Sequence, residues 1–256
     1  MSKFIDKLNR LSRGEPQPIG FKAKQLASPK PKIQLIASLA QDIAESLTGH
    51  ITGADAGLLR ISKPGTGVEA LQKISQALPD IPWGGWLQGS GRVGIKQMTK
   101  AGCDFIVFPA TDTPLAIIEN NAVGKILEIE TSLSDGLLRA TNELPIDAVL
   151  IAGEQKEGYT LTWRHLMLFQ HFAALLTKPL LVSIPVKVTS GEFEALWEAG
   201  VIGVVVEITA ETPQDSLKRL RQVIDKVEFP PTRRLEKAEP MLPRIGGEPS
   251  TTTREV

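Results

Sequence analysis

Lys100-Ala101-Gly102-Cys103-Asp104-Phe105-Ile106-Val107 closes a helical pattern, turns on a glycine and enters an apolar run of β type. Gly53-Ala54-Asp55, Pro145-Ile146-Asp147 and Gly200-Val201-Ile202 lead into three further apolar runs in the same manner. Glycine at such a point suits the left-handed backbone conformation that ends a helix. Runs entered differently, through Pro31-Lys32, Pro82, Gly124-Lys125 and Lys178-Pro179, alternate with these. A two-unit repeat of roughly 50 residues is thus visible four times, and such self-similarity marks a repeated architecture.

Working outward, strands are predicted at Ile33–Ala37, Ala56–Ile61, Trp83–Leu87, Phe105–Ala110, Ile126–Glu130, Ala148–Ala152, Leu180–Ile184 and Gly203–Ile208. Helical patterns are predicted at 40–48, 68–78, 92–101, 114–122, 135–144, 162–176, 190–199 and 213–227. Eight strands, each followed by a helix at roughly 25 residues per unit, give a closed parallel (β/α)8 barrel, the TIM barrel of the α/β class. Near-continuous apolar strand cores fit parallel strands covered by helices. Residues 1–31 form an N-terminal segment, with Phe4, Ile5, Leu8 and Leu11 at helical spacing over 3–13 and a proline-containing leader behind. Residues 32–228 form the barrel. Residues 229–256, rich in Pro, Glu, Arg and Thr, carry too little apolar surface to fold and are expected to be a disordered tail.

The passage 100–107 and the passage Ala195-Leu196-Trp197-Glu198-Ala199-Gly200-Val201-Ile202-Gly203-Val204-Val205-Val206 resemble the helix-to-strand passages of the aldolase-type barrels. The resemblance runs from about residue 32 to 228 and concerns the fold pattern; it brings no single family's catalytic motif, and fold alone does not give function.

Composition narrows the function classes. The chain has 256 residues, 42% of them hydrophobic, and its 29 basic and 29 acidic residues cancel. No net field favours nucleic acid or an anionic membrane. A single cysteine, Cys103, excludes an internal disulfide and a multi-cysteine metal site, and fits a reducing compartment. No apolar run approaches the roughly 20 residues that span a bilayer, and the N-terminus lacks a signal-peptide pattern. A soluble, cytoplasmic protein with a small-molecule ligand is expected, and the apolar helix around Trp163, Met167 and Phe172 suits either a wide core face or a homo-oligomer contact.

In a (β/α)8 barrel, chemistry sits at the carboxyl ends of the strands. Alternation turns Glu128 and Glu130 inward on strand five and Arg60 inward on strand two. Glu154 follows strand six, Lys187 follows strand seven and Glu207 ends strand eight, while Gln34 and Ser38 are the equivalents in strand one. Carboxylates gathered in one cavity need cations beside them or raised pKa values, so Arg60, with Lys187, is expected to pair with some of them. This set forms either an acid/base cluster or a salt-bridge staple. Gly89, Ser90, Gly91 and Arg92 open a helix after strand three and are candidates for gripping an anion with exposed amides. Ser190 and Gly191 are the candidates after strand seven. After strand eight, Glu207-Ile208-Thr209-Ala210-Glu211-Thr212 has no glycine and two acids, which counts against phosphate.

Several sites are missing. Strand six has no Schiff-base lysine, no strand has a His-x-His pair, and His165 and His171 lie on roughly opposite helix faces, so no metal is expected. Cys103 lies on the stability face, and Trp83 and Trp86 read as core and rim packing, with Trp86 also placed to roof a site. Three readings stay open. One is a lyase or isomerase acting on a small phosphorylated or carboxylated metabolite, with Glu130 or Glu154 as base and Arg60 or Lys187 steadying an oxyanion. Another is a flavin mononucleotide (FMN)-dependent oxidoreductase, and the third a non-catalytic barrel that serves as a binding or scaffold protein.

Overall fold

The computed structural model describes residues 2–13, 32–44, 46, 48–62, 64–88, 95–119, 121–153 and 159–229. Eight strands close into one parallel barrel in sequence order: β1 (Gln34–Ala40), β2 (Ala56–Ile61), β3 (Trp83–Leu87), β4 (Cys103–Pro109), β5 (Gly124–Ile129), β6 (Ala148–Ile151), β7 (Leu180–Ile184) and β8 (Val201–Ile208). Helix α1 (Lys3–Arg13) precedes them. The outer ring carries α2 (Pro64–Ala77), α3 (Ile95–Lys100), α4 (Asp135–Thr141), α5 (Trp163–Leu175), α6 (Ser190–Glu198) and α7 (Ser216–Lys226). The leader over 14–31 and the tail from 230 lie outside the described residues, and Phe229 packs on Trp197 with ring centroids 5.1 Å apart.

Among the described residues, two expected helices are absent. Where 40–48 was predicted helical, β1 runs on to Ala40, a turn follows, and a 3-10 turn forms at Thr48–Ile51. Ser46 explains part of this, because its hydroxyl bonds the Ile43 carbonyl 2.8 Å away and so competes with helical bonding. Over 114–122 only a 3-10 turn forms, at Leu115–Glu119. The connection from Pro109 to Gly124 must return the chain along the barrel wall, and a 3-10 turn rises about 2.0 Å per residue against about 1.5 Å for an α-helix.

The entry repeat has a physical meaning. Gly53, Gly102 and Gly200 all take positive φ, at 99°, 89° and 89°. A side chain there would strain the turn that aims the chain into β2, β4 and β8. The aspartates that follow staple the amino-terminal face. Asp55 accepts the Leu35 amide at 2.9 Å, and Asp147 accepts the Lys125 amide at 2.8 Å, so each caps the neighbouring odd-numbered strand. Asp55 also holds Lys7 and Arg221.

Asp104 does a different job. Its carboxylate accepts the Ser2 hydroxyl at 2.7 Å and the Lys3 and Phe4 amides at 2.8 and 2.9 Å. These bonds fix the start of α1, and the negative charge complements the helix dipole. The helix then seals the barrel floor. Phe4 is fully buried and lies against Phe105, ring centroids 4.7 Å apart, and an added Cβ on Gly124 would strike Ile5.

Candidate functional site at the barrel mouth

Strand register fixes which side chains enter the barrel. Ala40 pairs with Arg60, Arg60 with Trp86, Pro109 with Glu128, and Ser38 with Glu207. Paired positions in a parallel sheet share a face, and Gly84 and Gly124 on these faces meet inward neighbours, Phe105 and α1. Arg60, Trp86, Glu128 and Glu207 therefore point inward, near the carboxyl ends of β2, β3, β5 and β8.

There they make one connected array. Arg60 Nη1 donates to Glu207 Oε1 at 2.6 Å, bridging from β2 to β8 across β1. The small side chains Ser38 and Ala40 leave room for that bridge. Arg60 Cζ stands 4.9 Å from the centroid of the Trp86 ring, a cation–π distance. The indole Nε1 of Trp86 donates to Glu128 Oε2 at 2.6 Å. An indole is a donor only, so it fixes the Glu128 carboxylate without competing for its proton.

The charges in the array are not equally placed. The Arg60 side chain is 12% exposed and that of Glu207 33%. Burial pulls the Arg60 guanidinium below its ordinary pKa, and the raising effects of Glu207 and Glu128 do not fully offset it. Beside the bridge, Ser38 is fully buried and its hydroxyl has no partner among the described residues. Across the mouth the Tyr159 hydroxyl is also buried without a partner there, and an added Cβ on Gly153 would lie 3.8 Å from it. Burial pushes the Tyr159 phenol above its ordinary pKa.

The sequence candidates divide accordingly. The structure brings Arg60, Glu128 and Glu207 together. It places Glu130 just beyond β5, exposed and accepting from the Ser132 hydroxyl at 3.1 Å. Lys187 is exposed past β7 and makes no ion pair with the array. Ser190 and Gly191 form the exposed first turn of α6. That helix start is closed by its own capping box, in which the Glu192 carboxylate accepts from the Thr189 amide at 2.7 Å. Glu154 and the segment Gly89, Ser90, Gly91 and Arg92 lie outside the described residues. Trp86, read from sequence first as packing and only second as a roof over a site, is in the array as the donor that holds Glu128.

The remaining polar candidates have structural partners. Cys103 is buried, and burial pushes its thiol up to about 12. His165 accepts the Thr162 amide within the cap of α5, and His171 lies 3.0 Å from Asp135. Among the described residues no group of three or more His, Cys, Asp or Glu side chains could hold a metal ion, and no helix is long and apolar enough to cross a membrane. The loops after β7 and β8 do not fit a flavin phosphate. Glu192 covers the start of α6, and Thr209 and Thr212 bond to each other beside Glu207 and Glu211.

No protein-family model and no curated protein matches the chain. Solved structures do. The tryptophan synthase alpha-subunit of the hyperthermophile Pyrococcus furiosus aligns with a TM-score of 0.58 at 13% identity, covering 78% of this chain and 99% of that one. Two single-residue mutants of the same subunit give TM-scores of 0.58 and 0.57 at 12% and 13% identity over the same shares. At this identity the likeness is one of fold, an aldolase-type eight-stranded barrel.

Proposed function

From an aldolase-type barrel sealed at its floor, we propose that the mouth binds a small anionic metabolite, carboxylated or phosphorylated, and moves a proton on it in a lyase or isomerase reaction. The observation that carries this reading is the Glu207–Arg60–Trp86–Glu128 array, four polar contributions from four strands at the end of the fold where barrel enzymes work. Barrel interiors are ordinarily filled by branched apolar side chains. Two buried hydroxyls, Ser38 beside the array and Tyr159 across the mouth, want partners that the described protein does not give them.

Each residue has a part. Arg60 receives the ligand's anionic group. Glu207, a third exposed, gives up its hold on Arg60 and turns to solvent as the ligand's oxygens take its place. Glu128, with one oxygen fixed by Trp86, presents the other as general base and returns the proton as general acid. Arg60, braced on the indole, steadies the negative charge that develops on the substrate. The phenol of Tyr159, kept protonated, donates a hydrogen bond across the mouth. Glu130, Lys187 and the first turn of α6, with Ser190 and Gly191, are assigned to the rim. Glu154 and the Gly89–Arg92 segment retain the roles expected of them as a further carboxylate and an amide anion grip.

The displacement step makes a distinctive test. A thermal-shift panel of small carboxylates and phosphate esters identifies a ligand on the wild type. Glu207→Gln then binds the same ligand more tightly, because the neutral amide holds Arg60 less firmly than the carboxylate, whereas Arg60→Leu abolishes binding. Weaker binding by Glu207→Gln would sink the displacement step, and undiminished binding by Arg60→Leu would sink the site.

A second reading has one observation in its favour. The charges of the array find partners in one another, as a structural staple would. It makes the protein a non-catalytic binding or scaffold barrel, and it predicts a larger loss of stability when the pair is removed.

A further inference from the structure

Among the described residues, the large hydrophobic side chains left exposed are Leu115, Ile118, Leu137, Leu144, Trp163 and Met167. All lie between residues 115 and 167, on three consecutive covering elements: the 3-10 turn after β4, α4 with the turn behind it, and α5. The rest of the ring, made by α2, α3, α6 and α7, has none of them. Trp163 and Met167, four residues apart on α5, are 81% and 70% exposed, and Leu137 on the adjoining α4 is 57% exposed. Side chains at this spacing on a helix stand one above the other.

The pattern departs from an ordinary solvent face. Together the six residues expose on the order of 700 Å² over three consecutive elements, an area comparable with the roughly 800 Å² each partner gives a standard interface. Tryptophan is also the residue type most enriched at interface centres. The same α5 buries Phe169 and Phe172 on its inner side, so the exposed pair is not surplus core.

The charges around the patch say what covers it. Arg139 and Arg164 are balanced by Asp135 and Glu143, all exposed on α4, α5 and the turn between them. A two-fold contact brings a surface against its own copy, which a face of one sign would resist and a balanced one tolerates. A face without net charge offers an anionic lipid surface no attraction, and a strongly charged partner would find no complementary field. We propose that the α4–α5 face is a self-association surface: two copies of this chain pack about a two-fold axis, with Trp163, Met167 and Leu137 at the centre and the charged residues at the rim. This dimer contact leaves the mouth of each barrel on its own copy.

Sedimentation velocity of the full chain over about 1–100 μM spans the affinities that interfaces of this size reach at their weak end. The expected result is twice the monomer mass at the upper end, with Trp163→Glu and Met167→Lys monomeric throughout and folded by circular dichroism. A wild type that is monomeric at every concentration overturns the proposal. So does a wild-type dimer unchanged by both substitutions, which would place the contact on another face. Fluorescence gives a check without a variant. The chain has four tryptophans, and Trp83, Trp86 and Trp197 are buried, so Trp163 is the one open to acrylamide. The quenchable fraction of the emission should rise on dilution, and a fraction independent of concentration contradicts self-association through Trp163.

Discussion

Replacing Arg60 and Glu207 together by leucine should leave the stability of the barrel within about 2 kcal/mol of the wild type's. At an effective dielectric near 20, two unit charges about 4 Å apart attract by about 4 kcal/mol. Removing a guanidinium from water costs several kcal/mol, and the cost for a partly exposed carboxylate is smaller. The lowered pKa of Arg60 shows which effect is larger: desolvation outweighs both carboxylates, so the folded protein disfavours the charge it holds. The charge is present throughout the neutral range, and the cost with it. An apolar pair should therefore give a change between zero and about 2 kcal/mol in favour of folding, less whatever the cation–π contact with Trp86 contributes, about 0.5–2 kcal/mol. The single changes differ. Glu207→Leu removes the carboxylate from a guanidinium that is only 12% exposed and should cost about 2–4 kcal/mol, whereas Arg60→Leu leaves a carboxylate that water already reaches and should cost about 1–2 kcal/mol. Urea denaturation of the four proteins reads these values directly, and the midpoints on heating should move about 2–4 °C per kcal/mol for a barrel of this size. A double variant less stable than the wild type by more than about 2 kcal/mol would refute the reasoning. The array would then be a staple, and its residues would need no ligand to explain them.

Other consequences follow from the floor and the buried groups. Asp104→Ala should lower stability by about 1–3 kcal/mol by freeing the first amides of α1, measured by the same denaturation; an unchanged midpoint would mean that α1 holds its place without the cap. Cys103, with its thiol at about 12, should ignore a thiol reagent at pH 8 in the native state and react at the rate of unfolding. Fast labelling of the folded protein would place that side chain nearer the surface. The chain has a single tyrosine, so tyrosinate absorbance near 295 nm reports Tyr159 alone; the midpoint of its native titration should lie above the ordinary value of 10. Because the folded pKa is raised, the associated stability is fully present below the unfolded value and is lost as pH rises towards the folded one. A native titration at or below 10 would contradict the buried phenol.

Much of the frame was readable because barrels repeat themselves. The runs at Ala56–Ile61, Trp83–Leu87 and Leu180–Ile184 became β2, β3 and β7 at the expected bounds, since turn residues and apolar continuity agree there. The glycines at 53, 102 and 200 announced positive φ because few other residues tolerate it. The segment 40–48 misled, because periodicity does not reveal that Ser46 bonds back to its own backbone. Alternation correctly turned Arg60, Glu128 and Glu207 inward. It gave no reason to choose Trp86 as the donor that holds Glu128, because an indole in an apolar strand reads first as packing. The cue was present all the same: Trp86 shares its inward face with Gly84, the small-beside-large arrangement of a barrel interior. Lys187 and Glu130 lie past their strand ends, where alternation no longer governs direction, and both turned out exposed.

The most direct measurement of proton transfer at the mouth is solvent exchange. The carboxylate that most stabilises the wild type is incubated with the protein in deuterium oxide and its C–H signals are followed by proton NMR. Wild type should wash deuterium into the position next to the carboxylate or carbonyl. Glu128→Gln should bind the ligand and exchange at least about 100-fold more slowly, the usual scale of a general base. Exchange at the wild-type rate in Glu128→Gln, with binding intact, would contradict the assignment of Glu128 and with it the central claim about the mouth.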